Sequence, residues 1–250
     1  MLRTIRLTAA IVCFALITLL FLDFTGTLHT WFGWLAKIQF LPAVLALNIG
    51  VVLLLIVLTL LFGRIYCSVI CPLGVFQDAV SWISGKRKKN RFRYSPALRW
   101  LRYGVLTVFV IALVAGWNTF VILLAPYSAY GRMASSLLAP FWQWGNNLMA
   151  YFAERAESYA FYEVDMWMKS LSTLIIAIIT LVVLFILAWR NGRTYCNTIC
   201  PVGTILGFIS RYSIFKPVID TSKCNGCGLC ARNCNCLLYT SPSPRDAHES

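Results

Sequence analysis

Four cysteines close together in the C-terminal part of the sequence have a spacing that suits metal chemistry. They are Cys224, Cys227, Cys230 and Cys234, and the run reads CNGCGLCARNC. This Cys-x2-Cys-x2-Cys-x3-Cys spacing is typical of a loop that wraps around a [4Fe-4S] cluster, whereas a zinc site prefers two separated cysteine pairs. Gly226 and Gly228 leave room for the backbone to approach the cluster. The spacing therefore predicts an iron-sulfur site with these four thiolates as candidate ligands.

The run departs in two ways from the bacterial two-cluster ferredoxins. In those proteins the fourth cysteine ligates the other cluster and proline follows it, whereas Asn235 follows Cys234 here and no second such run comes later. From residue 236 onward the composition changes abruptly to Ser and Pro without periodicity. We expect residues 213–235 to form a partial ferredoxin-type 4Fe-4S domain, residues 236–250 to be a non-native tail, and a second cluster to belong to the natural C-terminal continuation.

A second group of cysteines lies in a motif that occurs twice. Residues 63–74 read GRIYCSVICPLG and residues 192–203 read GRTYCNTICPVG, with eight of twelve positions identical at an offset of 129. This similarity indicates an internal duplication. In each copy the two cysteines are four residues apart, which places both thiols on one face if the segment is helical. The proline that follows suits the first turn of a new helix.

If the two copies are related by an axis along the membrane normal, their thiols meet at one site. The cysteines concerned are Cys67, Cys71, Cys196 and Cys200. Thiolates suit an iron-sulfur cluster or another soft metal, so these four are further candidate metal ligands. A redox-active dithiol pair and inert buried cysteines are the alternatives. The motif's other shared side chains are expected to anchor the chain at head-group depth; they are Arg64, Arg193, Tyr66 and Tyr195.

The rest of the composition indicates a membrane protein. Hydrophobic residues make up 59% of the chain and charged residues 12%, which excludes an ordinary soluble domain. Four stretches approach the roughly 20 apolar residues that a membrane-spanning helix needs; they are residues 7–22, 40–62, 103–125 and 170–189. We predict an all-α membrane protein whose four transmembrane helices form two parallel repeats over residues 1–212, followed by the partial ferredoxin-like segment.

The distribution of charge predicts the orientation. The chain has 22 Lys and Arg against 9 Asp and Glu, a net charge of +13. The basic residues concentrate before the first span, between spans two and three, and after span four. By the positive-inside rule both termini are cytoplasmic, in the bacterial inner membrane. The basic run at residues 86–93 is then a topology determinant that faces lipid head groups, and no nucleic-acid partner is expected.

Hydrolytic chemistry has little support in this sequence. His29 and His248 are the two histidines, and no Gly-rich phosphate-binding loop is present. Catalytic residues are therefore not assigned, and the function is sought in electron transfer.

With apolar spans, two CxxxCP motifs and a C-terminal ferredoxin motif in this order, residues 1–235 resemble the NapH-like family of membrane ferredoxin proteins. The resemblance implies a 4Fe-4S protein that takes electrons from quinol, with quinone as its substrate, and passes them to soluble or membrane subunits of a respiratory reductase. It implies metal-ligand roles for all eight motif cysteines. A similar layout occurs in CcoG-like and NosR-like proteins, which implies the alternative of copper handling or maturation of a respiratory metalloenzyme.

Overall fold

The computed structural model of the chain describes residues 2–23, 26–87, 99–155, 163–164 and 170–215. Within these ranges the regular structure is helical and no strand occurs. Residues 216–235 of the predicted ferredoxin-type segment, with all four of its cysteines, and the tail lie outside the described residues. The α-helices are α1 (Leu2–Leu22), α2 (Thr27–Phe32), α3 (Trp34–Lys37), α4 (Phe40–Leu45), α5 (Ile49–Phe62), α6 (Pro72–Arg87), α7 (Arg99–Val114), α8 (Asn118–Leu124), α9 (Pro126–Met133), α10 (Ala139–Arg155), α11 (Leu171–Asn191), α12 (Thr194–Thr198) and α13 (Pro201–Ile209). Two π-helical turns, Tyr66–Ile70 and Ala134–Leu138, and one 3-10 turn, Ser210–Tyr212, complete the described elements.

Two of the predicted spans are continuous helices. By length and composition, Thr4–Leu22 in α1 and Leu171–Arg190 in α11 are suited to cross a membrane. Shorter apolar helices occupy Ile49–Phe62 and Trp100–Val114. At 1.5 Å per residue α5 is about 21 Å long, which is shorter than the roughly 30 Å of a bilayer core. The structure thus supports two candidate spans directly and divides the other two predicted stretches.

Both divided stretches break in the same way. Leu47 has φ 51° and Gly116 has φ 73°, so each lies in the left-handed region. The N–H of Leu47 donates to Val44 O, and the next N–H donates to the carbonyl of Ala43. At the second break the N–H of Gly116 donates to the carbonyl three residues before it, and the next N–H donates to the carbonyl five residues before it. Each break is therefore a Schellman motif that ends a helix, which corrects the expectation of unbroken helices over residues 40–62 and 103–125.

The elements of the two motif copies pack crosswise. Helix α6, which follows the first motif, packs against α11, and α13, which follows the second motif, packs against α5. Helix α1 contacts the first π-helical turn and α6, while α7 contacts α12 and α13. Each half thus supplies the apolar helix on which the other half's post-proline helix rests. This interchange is the contact pattern expected of an internal two-fold relation.

The outward faces of the long apolar helices carry large hydrophobic side chains. Ile11 on α1, Leu54 on α5, Ile111 on α7 and Ile179 on α11 are each more than half exposed in the isolated chain. Contiguous apolar surface of this kind marks an interaction with membrane or protein. The exposed faces are consistent with association of the chain with a membrane.

Candidate metal centre

The first motif leaves α5 through a glycine and a π-helical turn. Gly63 has φ 70° and ends α5, and the turn Tyr66–Ile70 follows. Cys71 itself is extended, with φ −76° and ψ 114°, and its N–H donates to Tyr66 O at 2.9 Å. The two cysteines of this copy are therefore not on one regular helix. The reason is that Pro72 disfavours helical backbone at the residue before it.

The second motif repeats this geometry with a short α-helix in place of the π turn. Cys200 is extended, with φ −69° and ψ 118°, and its N–H donates to the carbonyl of Tyr195 at 2.9 Å. The thiol of Cys200 caps α13 by accepting the N–H of Gly203 at 3.4 Å. The expectation that each proline starts a new helix is confirmed, since α6 begins at Pro72 and α13 begins at Pro201.

A glycine three residues after the second cysteine allows the close approach of each turn to its following helix. A Cβ on Gly74 would collide with the backbone carbonyl of Cys67, and a Cβ on Gly203 would collide with that of Cys196. The neighbour is backbone in both copies, so it cannot rotate away. Glycine at these two positions is therefore a steric requirement of the fold around the cysteines.

The four thiols of the two copies gather in one part of the core. Cys67, Cys71, Cys196 and Cys200 are all buried in a single hydrophobic cluster. Burial raises the pKa of every one of them, to about 12 for Cys71. The charges of neighbouring thiolates raise the pKa of Cys71, Cys196 and Cys200 further. For Cys196 and Cys200 these neighbours include the cysteines of the first motif copy. In the absence of a cation these thiols are therefore protonated at neutral pH.

The four thiols suit a metal because of the chemistry of their donor atoms. Four soft sulfur donors in a buried cluster suit a soft metal ion or an iron-sulfur centre. Among the described residues, however, no three His, Cys, Asp or Glu side chains are arranged to hold one metal ion. Ligation by the CxxxCP thiols therefore stays a prediction. The same holds for Cys224, Cys227, Cys230 and Cys234, which lie outside the described residues.

Arg193, Tyr66 and Tyr195 are buried internal residues, so the prediction of these three as head-group anchors is wrong, whereas Arg64 is only partly buried. Arg193 is 3% exposed and forms a bidentate ion pair with Asp78 on α6. Arg64 donates to Asn197 Oδ1 at 2.6 Å. Each arginine thus reaches into the opposite copy, because the crosswise packing of the halves brings the start of each motif against the other half.

Tyr66 is also internal, with 2% of its surface exposed. Its hydroxyl donates to Gln39 Oε1 at 3.0 Å and accepts the backbone N–H of Phe40 at 3.0 Å. Burial raises its pKa, and the nearby thiol of Cys71 raises it next. The tyrosine therefore ties the start of α4 to the first motif beside the thiols.

Gln77 is a neighbour of the thiols that sequence reasoning missed. It is 1% exposed, and its Nε2 donates to Cys196 Sγ at 3.4 Å from the opposite copy. No spacing rule connects Gln77 to Cys196, because they are 119 positions apart. No pattern in the sequence marks Gln77 as a neighbour of the thiols.

Comparison with known proteins agrees with this layout. Residues 44–90 and 172–220 each match a 4Fe-4S binding domain model, Fer4_5, and residues 217–234 match a further 4Fe-4S binding domain, Fer4. The first model therefore covers each CxxxCP copy with its flanking helices, and the second covers the ferredoxin-type run. These matches define the chain as a helical protein with 4Fe-4S binding domains.

The chain is similar over most of its length to ferredoxin-type proteins, which confirms its resemblance to the NapH-like proteins. It is 27% identical over 195 residues to "Ferredoxin-type protein NapH" of Haemophilus influenzae, covering 78% of this chain and 55% of that protein. YccM of Escherichia coli, whose name describes an electron transport protein, is 26% identical over 201 residues, which cover 78% of this chain and 47% of YccM. "Methylamine utilization ferredoxin-type protein MauN" of Methylobacillus flagellatus is 26% identical over 173 residues, covering 69% of this chain and 48% of MauN. The chain thus spans about half the length of these relatives, and no solved structure matches it.

Proposed function

We propose that the chain is a membrane iron-sulfur protein that passes electrons between the quinol pool and a respiratory reductase system. The observation that carries the proposal is the ferredoxin-type run at Cys224–Cys234, which a 4Fe-4S binding domain matches. It follows in the sequence a helical unit with two candidate membrane spans. A cluster next to such a unit is well placed to exchange electrons with a lipid-soluble carrier.

The quinol link rests on the chemistry of the two partners. Oxidation of a quinol releases two electrons and two protons inside or beside the bilayer, and a 4Fe-4S centre accepts one electron at a time. The protein's task is to hold the centre at the membrane surface and to tune its potential. Soluble or membrane subunits of a respiratory complex are the proposed onward acceptors.

The proposed membrane topology uses four crossings with both termini on the cytoplasmic side. Helices α1 and α11 supply two of them, and the interrupted pairs α4–α5 and α7–α8 supply the others. Discontinuous helices occur in membrane proteins where neighbouring elements satisfy the freed backbone groups. The hydrogen bonds of the Schellman motifs satisfy some of these backbone groups at both breaks. In this proposal residues 1–212 form the membrane domain and residues 213–235 carry the ferredoxin-type cluster.

Iron and acid-labile sulfide analysis of the anaerobically purified full chain tests the cluster. We expect both elements in the wild type, a visible absorption band that a quinol analogue bleaches, and loss of the band in Cys224→Ser. Cys13→Ser is the matched control, because Cys13 is the one cysteine of α1 and belongs to neither motif in the sequence. A wild-type protein without iron or labile sulfide contradicts the cluster. A full band that no quinol analogue changes contradicts the quinol link alone.

The gathering of four buried thiols supports a second candidate, a factor that handles copper for a respiratory metalloenzyme. Thiolate ligands favour Cu(I), and the described core around the four cysteines offers sulfur as its main donor. In that case Cys67→Ser and Cys196→Ser abolish binding of Cu(I) and leave the iron content unchanged. Loss of quinol-dependent reduction in the same variants, with copper binding intact, favours electron transfer instead.

A further inference from the structure

The pseudo-symmetry between the motif copies fails at one charged position. Arg193 at the start of the second motif pairs with Asp78 on α6 of the first half. Arg64 is its counterpart in the first motif and points to α13 of the second half. The position that corresponds to Asp78 by the same offset of 129 is Gly207. Asp78 thus neutralises Arg193, whereas Arg64 has a glycine, without any side chain, at the corresponding position.

Two arginines meet at Gly207. A Cβ added to this glycine would collide with Nη2 of Arg64 and would lie 2.7 Å from Nη2 of Arg102. The two guanidinium groups therefore lie next to each other on the surface of α13. Arg102 is 7% exposed, and its Nη2 donates to Thr204 O at 3.3 Å. Arg211 adds a third positive charge nearby.

The unpartnered atoms at this point are all hydrogen-bond donors. They are Nε and Nη2 of Arg64, Nε of Arg102 and Nδ2 of Asn197, each of them buried. Within the described part of the chain the one ion pair joins Arg193 to Asp78, so no carboxylate there neutralises Arg64 or Arg102. Buried charges are stable when they are paired and hydrogen-bonded. Unpartnered N–H donors beside two positive charges suit an acceptor that carries negative charge.

We propose that Arg64 and Arg102, which both lie against the backbone of Gly207, bind a phosphate-class oxyanion, with Arg211 at the edge of the site. The planar guanidinium matches phosphate oxygens with paired N–H bonds, and two such groups suit an anion with several acceptor oxygens. Asn197 Nδ2 is a further donor on the residue that already contacts Arg64.

The place of the site in the fold identifies two sources of this anion. Arg64 comes two residues after the apolar helix α5, and Arg102 lies in the first turn of the apolar helix α7. In a bilayer, the ends of apolar helices lie at the level of the lipid phosphates, where basic side chains bind anionic head groups. A phospholipid head group and free inorganic phosphate present the same oxygens, so the experiment has one arm for each.

The test uses the purified full chain and substitutions at Gly207. Gly207→Asp supplies an internal carboxylate like that of Asp78, and the clashing atom is the mobile end of Arg64, which can move aside. We expect Gly207→Asp and the double variant Arg64→Gln/Arg102→Gln to lower affinity at least ten-fold. Inorganic phosphate is titrated in detergent, and retention of phosphatidylglycerol over phosphatidylcholine is measured by native mass spectrometry after extraction from mixed nanodiscs. Gly145→Asp is the control, because it adds the same charge at a glycine with no atom within 4 Å of its Cβ position.

Each outcome decides the proposal. Loss of phosphate binding in Gly207→Asp supports a free-phosphate source, and loss of retained phosphatidylglycerol supports a lipid source. A wild type that binds neither probe better than Gly207→Asp overturns the proposal. Iron content in all variants stays at the wild-type level if the proposal is correct, so its failure is distinct from that of the iron-sulfur function.

Discussion

Arg193 and Asp78 lie 115 positions apart in the chain and form a bidentate ion pair between the second copy of the duplicated motif and helix α6 of the first half. The arginine is almost fully buried, while 30% of the aspartate side chain remains exposed. A charge-assisted pair of this geometry is among the stronger polar contacts in proteins. It also fixes α6 against the second motif, directly beside the thiols.

Removal of the carboxylate in this pair is expected to destabilise the protein. Asp78→Asn leaves the buried guanidinium of Arg193 without a charged partner, and we expect a loss of about 2–4 kcal/mol. Thermal unfolding in detergent checks the prediction through a lower transition midpoint. Glu154→Gln, at an exposed position on α10, is the control and should change the midpoint little. An unchanged midpoint in Asp78→Asn would show that the pair adds no stability.

The glycine after the CP dipeptide provides a second test. Gly74→Ala places a methyl group against the carbonyl of Cys67, and we expect overpacking to cost about 1–3 kcal/mol. Gly104→Ala is the matched control, because nothing lies within 4 Å of its Cβ position and alanine favours helix over glycine. Unfolding midpoints should therefore fall in the first variant and stay or rise in the second. Equal effects in the two variants would contradict the close approach.

Loss of the Tyr66 hydroxyl should cost more than loss of its counterpart in the second copy. Tyr66→Phe removes two hydrogen bonds and leaves the N–H of Phe40 and Oε1 of Gln39 without the hydroxyl, so we expect about 1–3 kcal/mol of destabilisation. Tyr195→Phe is the comparison, since the described residues show no hydrogen bond of its hydroxyl. Chemical unfolding of the two variants under identical conditions gives the difference, and a larger effect at Tyr195 would refute the assignment.

The buried thiols predict a loss of stability at alkaline pH in the metal-free chain. The pKa of Cys71 is raised from 9.0 to about 12 by burial and by the neighbouring thiol of Cys67. Above pH 9 the unfolded chain releases this proton while the folded chain keeps it, so the folded state binds more protons and stability falls as pH rises towards 12. The unfolding midpoint, followed between pH 8 and pH 11, should decrease.

A cysteine variant separates this effect from other alkaline changes. Cys71→Ser removes one of the titrating groups, so the midpoint of the variant should depend less steeply on pH than that of the wild type. Tyr66 contributes in the same direction at higher pH, because its pKa is also raised by burial. A slope that Cys71→Ser leaves unchanged would show that the Cys71 thiol is not the group responsible.

Local pattern in the sequence was sufficient for several features of the fold. The apolar runs predicted α1 and α11, the CP dipeptides predicted where α6 and α13 begin, and the repeat predicted two equivalent cysteine pairs. The cysteine spacing predicted the 4Fe-4S binding domains that the comparisons support. These features depend on residues near one another in the chain, where hydrophobicity, proline geometry and ligand spacing act directly.

Tertiary structure alone decided which side chains meet. The helix breaks at Leu47 and Gly116 interrupt apolar runs that hydropathy reads as continuous, because a Schellman motif changes backbone direction without changing polarity. The pairing of Arg193 with Asp78 and the approach of Arg64 to Gly207 depend on the crosswise packing of two halves. The sequence by itself determined which chemical groups each motif copy contains, namely its thiols, its arginine and its tyrosine. Contacts between copies depend on how the halves pack against each other, and spacing along the chain carries no information about that arrangement.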